Sequence, residues 1–187
     1  AAAKASLDER IRKVDEPSEE LIALRDQLNH ILTHTRDSKY AHFKNKLIEL
    51  GWSGKKNDDR FVVFTERLAT MNYLRSNLIK DFGLDPEKNV ISLFHGSLSD
   101  MEQQEMIDDF GKEDSEIKLL ICSDAGAEGV NLHYFCNRMF NYDIPWSLIT
   151  LEQRNGRIDR YGQRKTPFIH YLVADSVLED VKTDIHI

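Results

Sequence analysis

Five short apolar runs constrain this chain more than any other feature. They span residues 61–64, 90–94, 117–122, 138–142 and 168–173, and most positions within them are Val, Ile, Leu, Phe or Met. Runs this short that do not alternate apolar with polar suit strands buried on both faces. Between them lie segments with helical spacing. Leu74, Leu78 and Phe82 precede Gly83, a stop signal. Ser99 and Glu102 form a capping-box pair ahead of Met106, Ile107 and Phe110, which Gly111 closes. A further helix is predicted over 148–160, and a last one begins at 177–181. Strands alternating with helices predict an α/β fold, a parallel sheet flanked by helices on both faces.

Two helices precede the first strand. Over 17–34, Pro17, Ser18, Glu19 and Glu20 suit a first turn, and Leu21, Leu24, Leu28 and Ile31 keep helical spacing. Ser38 is the expected cap of the second, with Tyr40, Phe43, Leu47 and Leu50 on one face and Gly51 as the stop. Residues 1–35 therefore read as a helical extension or linker, and 36–187 as the main domain. A domain of this size buries roughly 70% of its unfolded surface and needs no covalent staples. The two cysteines, Cys122 and Cys136, border apolar runs and read as buried thiols. No apolar run approaches the ~20 residues of a membrane span. The expected setting is the cytoplasm, bacterial cytoplasm or nucleoid, with no membrane partner. His30 and His34 are read as a solvent-facing pair, Trp52 as a packing residue and Trp146 as core.

The net charge is −7, yet the charges are unevenly placed. Acidic residues dominate from Asp85 to Glu116, whereas Arg154, Arg157, Arg160, Arg164 and Lys165 crowd one short segment. That pattern suggests one local anionic ligand rather than a broad basic face. On a helix at ~100° per residue, Gln153, Arg157 and Arg160 fall within an arc of about 60°. Gly156 lies beside the arc and leaves the backbone bare. A glycine inside a helix costs roughly 1 kcal/mol, so it asks for a reason. Two guanidiniums beside bare backbone suit a phosphate; a solvated basic face is equally compatible with the spacing. In a parallel sheet, ligands sit at the carboxyl ends of the strands. Those ends carry Thr65-Glu66, His95-Gly96-Ser97, Ser123-Asp124-Ala125-Gly126 and Asp143-Ile144-Pro145-Trp146.

The segment Gln153-Arg154-Asn155-Gly156-Arg157-Ile158-Asp159-Arg160 resembles motif VI of superfamily 2 helicases, and the trailing Gly162-Gln163-Arg164 resembles the Swi/Snf branch. Gly156 is closer to bacterial Swi/Snf-like ATPases than to the eukaryotic pattern. Other motifs follow in order: Phe61-Val-Val-Phe-Thr-Glu resembles motif IV, Leu93-Phe-His-Gly-Ser the next strand and loop, and Leu119-Leu-Ile-Cys-Ser-Asp-Ala-Gly-Ala-Glu-Gly-Val-Asn-Leu motif V. Arg36-Asp-Ser-Lys39 resembles the opening of this lobe in Swi/Snf proteins, so the resemblance covers about residues 36 to 175.

The resemblance implies a RecA-like second lobe of an ATP-dependent nucleic-acid translocase. Arg157 and Arg160 would be arginine fingers. Gln153, Gly129 and Asn131 would lie near the nucleotide. Thr65, His95, Gly96, Ser123, Asp124 and Ala125 would face nucleic acid, with duplex DNA favoured by the branch. Asp124 and Glu128 depart from the usual motif V residues, and carboxylates beside a phosphate track repel it unless they pair or point away. ATP with Mg²⁺ would be held mainly by an N-terminal RecA-like lobe of the same parent chain. No Gly-x-x-x-x-Gly-Lys-Ser/Thr phosphate loop occurs in this sequence. The chain is therefore expected to be inactive alone and to be an excised lobe ending at Ile187. A catalytically silent interaction module with the same fold is the alternative. A dinucleotide-binding reading of Gly126-Ala-Glu-Gly129 lacks the third glycine.

Overall fold

In the computed structural model the described residues are 18–34, 37–55 and 59–173. The helix expected at 177–181 and the side chains of His30 and His34 lie outside them. The chain divides into two compact units, residues 1–41 and residues 42–187.

In the first unit, helix α1 (Glu19–His34) starts with Glu19 and Glu20 in its first turn, where carboxylates offset the positive end of the helix dipole. The Ser18 hydroxyl accepts from the Leu21 N–H at 3.3 Å. Helix α2 (Ser38–Glu49), most of which belongs to the second unit, is capped by Asp37, whose carboxylate accepts from the Tyr40 N–H at 2.9 Å. The expected cap, Ser38, is instead the first helical residue. Both residues are good caps; the carboxylate is the one that reaches the free N–H.

The second unit is built on a five-stranded sheet of β1 (Phe61–Phe64), β2 (Ile91–Phe94), β3 (Leu119–Cys122), β4 (Arg138–Asn141) and β5 (Phe168–Tyr171). The spatial order is β2-β3-β1-β4-β5, and every pair is parallel. β1 and β3 are buried at every residue, as uninterrupted apolar runs require; β5 is a half-exposed edge. Helix α3 (Leu68–Phe82) buries Met71, Leu74 and Leu78, and Gly83 closes it in the left-handed conformation at φ +61°. Helix α4 (Asp100–Gly111) opens with the expected capping box: Ser99 accepts from Glu102 N–H, and Glu102 accepts from Ser99 N–H at 2.8 Å. Helix α5 (Leu148–Asn155) leads to the cationic segment.

Strand side chains alternate between two faces. Val62, Phe64, Leu120, Cys122 and Met139 pack with Phe110 of α4, with Leu132 and with Ile158. On the opposite face, Phe43 of α2 meets Phe140 edge-on at 5.1 Å, and Phe140 stacks on Phe61 at 6.0 Å. Helices therefore cover both faces. Trp52 is 2% exposed and packs edge-on against Phe82 at 4.9 Å, the packing role expected of it. Cys122 and Cys136 are buried free thiols; burial raises both, Cys136 to about 12, which makes them unreactive. Trp146 departs from expectation: it is 80% exposed, in the segment between the end of β4 and the start of α5, next to a buried Pro145.

The sheet order has a functional consequence. From β1 the chain crosses to the edge strand β2, inserts β3 between β2 and β1, then crosses past β1 and builds outward on the other side with β4 and β5. The reversal leaves a crevice at the carboxyl ends of β1, β3 and β4, where open α/β sheets hold ligands.

Candidate nucleotide-facing edge

Arg154 organises that crevice. Its side chain is 1% exposed, and it grips Asp124 through a fork: Nε donates to Oδ1 at 2.6 Å and Nη2 to Oδ2 at 2.8 Å. Nη1 donates to the Asp143 carbonyl at 2.7 Å and reaches Asn141 Oδ1 at 3.4 Å. The guanidinium also lies 5.6 Å from the centre of the Phe64 ring. Asp143 in turn accepts from the Thr65 hydroxyl and from the Glu66 N–H at 3.1 Å. Asn155 extends the network, donating to the Tyr171 hydroxyl at 2.8 Å. One arginine on α5 thus ties the ends of β1, β3 and β4 together, with β5 joined through Asn155. A buried charge is tolerated only when paired and hydrogen-bonded throughout, and this one is.

The network decides what two expected ligand-facing residues can do. Both oxygens of Asp124 are taken by Arg154, and Thr65 is fully buried with its hydroxyl committed to Asp143. Thr65 has no exposed surface to offer a ligand, and Asp124, with its side chain 33% exposed, has both oxygens engaged. The pairing also removes the repulsion that a free Asp124 would exert on a phosphate.

The loops after β2 and β3 close on each other. Gly126 is required there: a Cβ on it would lie 2.6 Å from the His95 Cα. A Cβ on Gly96 would come within 3.2 Å of the Ala125 Cβ. His95, Gly96, Ser123 and Ala125 are therefore brought together as expected. The Ser123 hydroxyl accepts from the Gly126 N–H at 3.2 Å, which shapes the loop rather than facing outward. Gly96 and Ala125 are exposed, whereas His95 is partly buried and its Nδ1 has no partner among the described residues. Gly129, at φ +79°, and Asn131 are exposed farther along the same loop.

The cationic segment corrects the sequence reading most sharply. The predicted helix over 148–160 ends at Asn155, and Gly156 caps it, its N–H bonding back to Glu152 and Arg154 carbonyls. Arg157 and Ile158 then bond three residues back, to Arg154 and Asn155, so the chain tightens into turns. Two physical causes act together. Glycine gives helix little support, and Ile158, fully buried in the core, fixes the chain on the new path. The shared arc expected of Gln153, Arg157 and Arg160 is lost. Gln153 and Arg157 line a small cleft of ≈ 190 Å³ together with Asp124, Ala125, Glu128 and Arg154. Arg160 is exposed and directed elsewhere, donating to the Asn131 side chain. Arg157 forms no ion pair among the described residues. Gln163 braces the segment from behind, donating to the carbonyls of Cys136 at 3.0 Å and Ile158 at 3.1 Å.

Arg154 itself escaped the sequence reading. The signal was present: Leu151, Arg154 and Ile158 keep the i, i+3, i+7 spacing of a buried stripe, and all three are buried.

The arrangement suits an anion at its outer edge. Arg157 lines the cleft with no ion pair among the described residues, and Arg160 stands apart from it on the neutral amide of Asn131, two residues beyond the exposed Gly129. The arrangement offers little to a metal ion, because Asp124 and Asp143 are committed to Arg154. Among the described residues no group of three or more His, Cys, Asp or Glu could hold a metal. No helix among them is long and apolar enough to cross a membrane.

Comparison with known proteins agrees with this geometry. Residues 38–162 match the model of the helicase conserved C-terminal domain. The chain is 34% identical over 180 residues to a Bacillus subtilis protein described as the uncharacterized ATP-dependent helicase YqhH, covering 95% of this chain and 28% of that protein. It is 33% identical over 116 residues to the RNA polymerase-associated protein RapA of Vibrio campbellii, covering 62% of this chain and 11% of that protein. The chain thus spans under a third of these relatives. Among solved structures, the C-terminal part of the Fun30 ATPase domain superposes with a TM-score of 0.56 at 18% identity, covering 92% of this chain and 48% of that one. Domain 2 of the DEAD-box helicase Mss116p, bound to an RNA duplex in that structure, gives 0.54 at 23% identity, covering 73% and 50%. These likenesses establish the RecA-like fold. With the motif order, the parallel sheet and the family match in agreement, the chain belongs to the helicase conserved C-terminal domain family.

Proposed function

We propose that this chain is the second lobe of an ATP-driven nucleic-acid translocase of the Swi/Snf-like branch, and that Arg157 and Arg160 act on an ATP held by a partner lobe. The observation that carries the reading is the contrast within one short segment. Arg154 is consumed by internal pairing, whereas Arg157 lines a cleft with no ion pair of its own among the described residues. The ≈ 190 Å³ cleft is smaller than the roughly 300–1,000 Å³ of complete ligand sites, which fits a half-site finished by a second surface. ATP with Mg²⁺ fits the cationic outer edge through its phosphates; the metal would be held mainly by the partner lobe, since Asp124 and Asp143 are engaged by Arg154 and leave Glu128, among the described residues, as the one cleft carboxylate outside that network.

In this reading the partner lobe supplies the phosphate loop. Closure of the two lobes brings Arg157 and Arg160 to the phosphoryl group, where charge spreads over the transferring oxygens. Gln153, beside Arg157, orders the interface; Asn131 holds Arg160 ready, and Gly129 leaves room for the nucleotide. The bare backbone at Gly96 and Ala125 forms the nucleic-acid track, with His95 and Ser123 shaping it from behind. Asp124 and Thr65 leave the list of direct contacts and become supports of that track. Closure and release of the lobes would move the grip along duplex DNA by population shift.

The test is ATP turnover by a protein in which this lobe is joined to its phosphate-loop lobe, with and without duplex DNA, beside the isolated chain. Turnover stimulated by DNA in the joined protein, with an inert isolated chain, supports the split site. Turnover by the isolated chain contradicts it. A joined protein that is inert with every nucleic acid would turn the assignment to a silent interaction module.

A further inference from the structure

A second cavity, of ≈ 460 Å³, lies away from the cleft beside Arg157, and the proposed function does not use it. It is lined by His133, Tyr134, Phe135, Asn137, Arg164 and Lys165, with Cys136, Gly162 and Gln163 completing the wall. His133 and Tyr134 belong to a 3-10 turn, Leu132–Tyr134, that follows the loop carrying Asn131. Arg164 and Lys165 lie just beyond Arg160.

Three observations set this cavity apart. His133 is only 4% exposed, and neither ring nitrogen has a hydrogen-bond partner among the described residues. A neutral imidazole carries one N–H and one lone pair, and burying either without a partner is unfavourable. The lining contains two cations and no carboxylate, in a chain whose net charge is −7. Arg164 and Lys165 are both exposed, and Gln163 fixes the backbone between them and the cavity by accepting from the Lys165 N–H at 3.1 Å. Finally, Tyr134 is 68% exposed and its ring lies 3.9 Å from that of His133, so an aromatic surface stands open beside the buried nitrogens.

We propose that this cavity binds a phosphate ester of the nucleotide type, with the phosphate between His133, Arg164 and Lys165 and the attached group against Tyr134 and Phe135. Charge-assisted hydrogen bonds from a guanidinium and an ammonium would hold the oxyanion. The His133 N–H would gain the acceptor it lacks. The volume exceeds what a bare phosphate needs and falls within the range of small-ligand sites. An aromatic wall is the surface on which a base or sugar packs. The source of the phosphate is either a free nucleotide or a nucleotide unit within a strand. Gly162, at φ +98°, faces His133 across the cavity wall: a Cβ added to it would be 3.6 Å from Nε2. An occupant would therefore stiffen the segment that begins at Arg160.

The experiment is NMR observation of the His133 ring in the full 187-residue chain, at fixed ionic strength, during separate additions of inorganic phosphate, adenosine monophosphate and a short blunt DNA duplex. Burial and the nearby Arg160 charge hold the His133 pKa below the ordinary imidazole range. A bound anion favours the imidazolium and raises that midpoint. The expected result is a saturable shift with adenosine monophosphate stronger than with phosphate, weakened about tenfold or more in Arg164→Ala/Lys165→Ala. That double variant alters exposed side chains only, so it tests the site even where His133→Gln fails to fold. Saturation by the duplex alone supports the site and assigns the phosphate to a strand. No saturable shift with any of the three, or an equal shift in the double variant, would overturn the proposal and leave Arg164 and Lys165 as solvated charges.

Discussion

Two regions of this lobe carry arginines only a few residues apart, and they are built on opposite principles. Around Arg154 the guanidinium's contacts are internal: Asp124, Asp143, Asn141 and the Phe64 ring enclose it. Around Arg157 and Arg160 the described residues provide turns, a glycine, the Asn131 amide and, in the cleft with Arg157, the exposed Glu128, with no ion pair to either arginine. The first region is a frame whose charge is satisfied by the fold. The second is left incomplete, and the energy of completing it is available to a ligand. If the edge acts as proposed it needs both, because groups that act on a transition state are effective only when held in place by others that do not act.

That comparison breaks if Arg154 turns out to be dispensable. Replacing it with Ala leaves a hole in the interior and removes the partner of Asp124 and Asp143, whose side chains are 33% and 29% exposed; the cost is expected to approach the about 3–5 kcal/mol of breaking a fully buried pair. Chemical denaturation of Arg154→Ala should show a loss of that order, the largest in the series. Arg154→Lys keeps the charge and loses the fork that engages Asp124 through two nitrogens. Its expected cost is about 1–3 kcal/mol, and stability equal to the parent would show that the fork is not what holds the strands.

Gly126→Ala sharpens the comparison from the loop side. Its new methyl would meet backbone of His95 at 2.6 Å, so the two loops must part. A cost of about 1–3 kcal/mol is expected from overpacking, together with greater susceptibility of the 95–97 and 124–129 loops to proteolysis. Uncut loops and unchanged stability would mean that the close approach is not needed.

The smallest effect concerns pH. His133 and His170 both sit below the ordinary imidazole range, each chiefly through burial. A histidine depressed in the folded state is neutral in both states at high pH and costs nothing there. As pH falls through about 6.5 the unfolded chain takes up protons first. Stability should therefore fall from about pH 6.5 down to the folded-state midpoints, and urea midpoints at neutral and mildly acidic pH should record it. His133→Gln should flatten part of that slope; an unchanged slope would assign the effect to His170 or to other groups.

The sheet was legible in the sequence because its strands announce themselves: four buried apolar residues in β1 and in β3 leave little choice of structure. The capping box at Ser99 and the left-handed Gly83 were legible for the same reason, since their signals are local. The end of α5 was not. Gly156 is compatible with an interior or a terminal position, and what decides between them is Ile158, whose burial depends on strands far away in the chain. Arg154 and Asp124 are thirty positions apart, so local periodicity could not reveal their pairing, although the stripe through Leu151 and Ile158 pointed inward. Trp146 shows the converse error. Its hydrophobicity favoured the core, yet the strand had ended at Asn141 and Trp146 lies in the connection to α5.

The most direct test of the central claim is steady-state ATP turnover, with nucleotide affinity measured alongside, for Arg157→Ala and Arg160→Ala in the joined two-lobe protein. Arginine fingers contribute roughly 10³–10⁵ in rate. The account predicts that each variant loses at least about a hundredfold in turnover, still binds ATP and unfolds as the parent does. Turnover within a few-fold of the parent in both variants would contradict it, and would place the cations beyond Arg154 on the solvated surface.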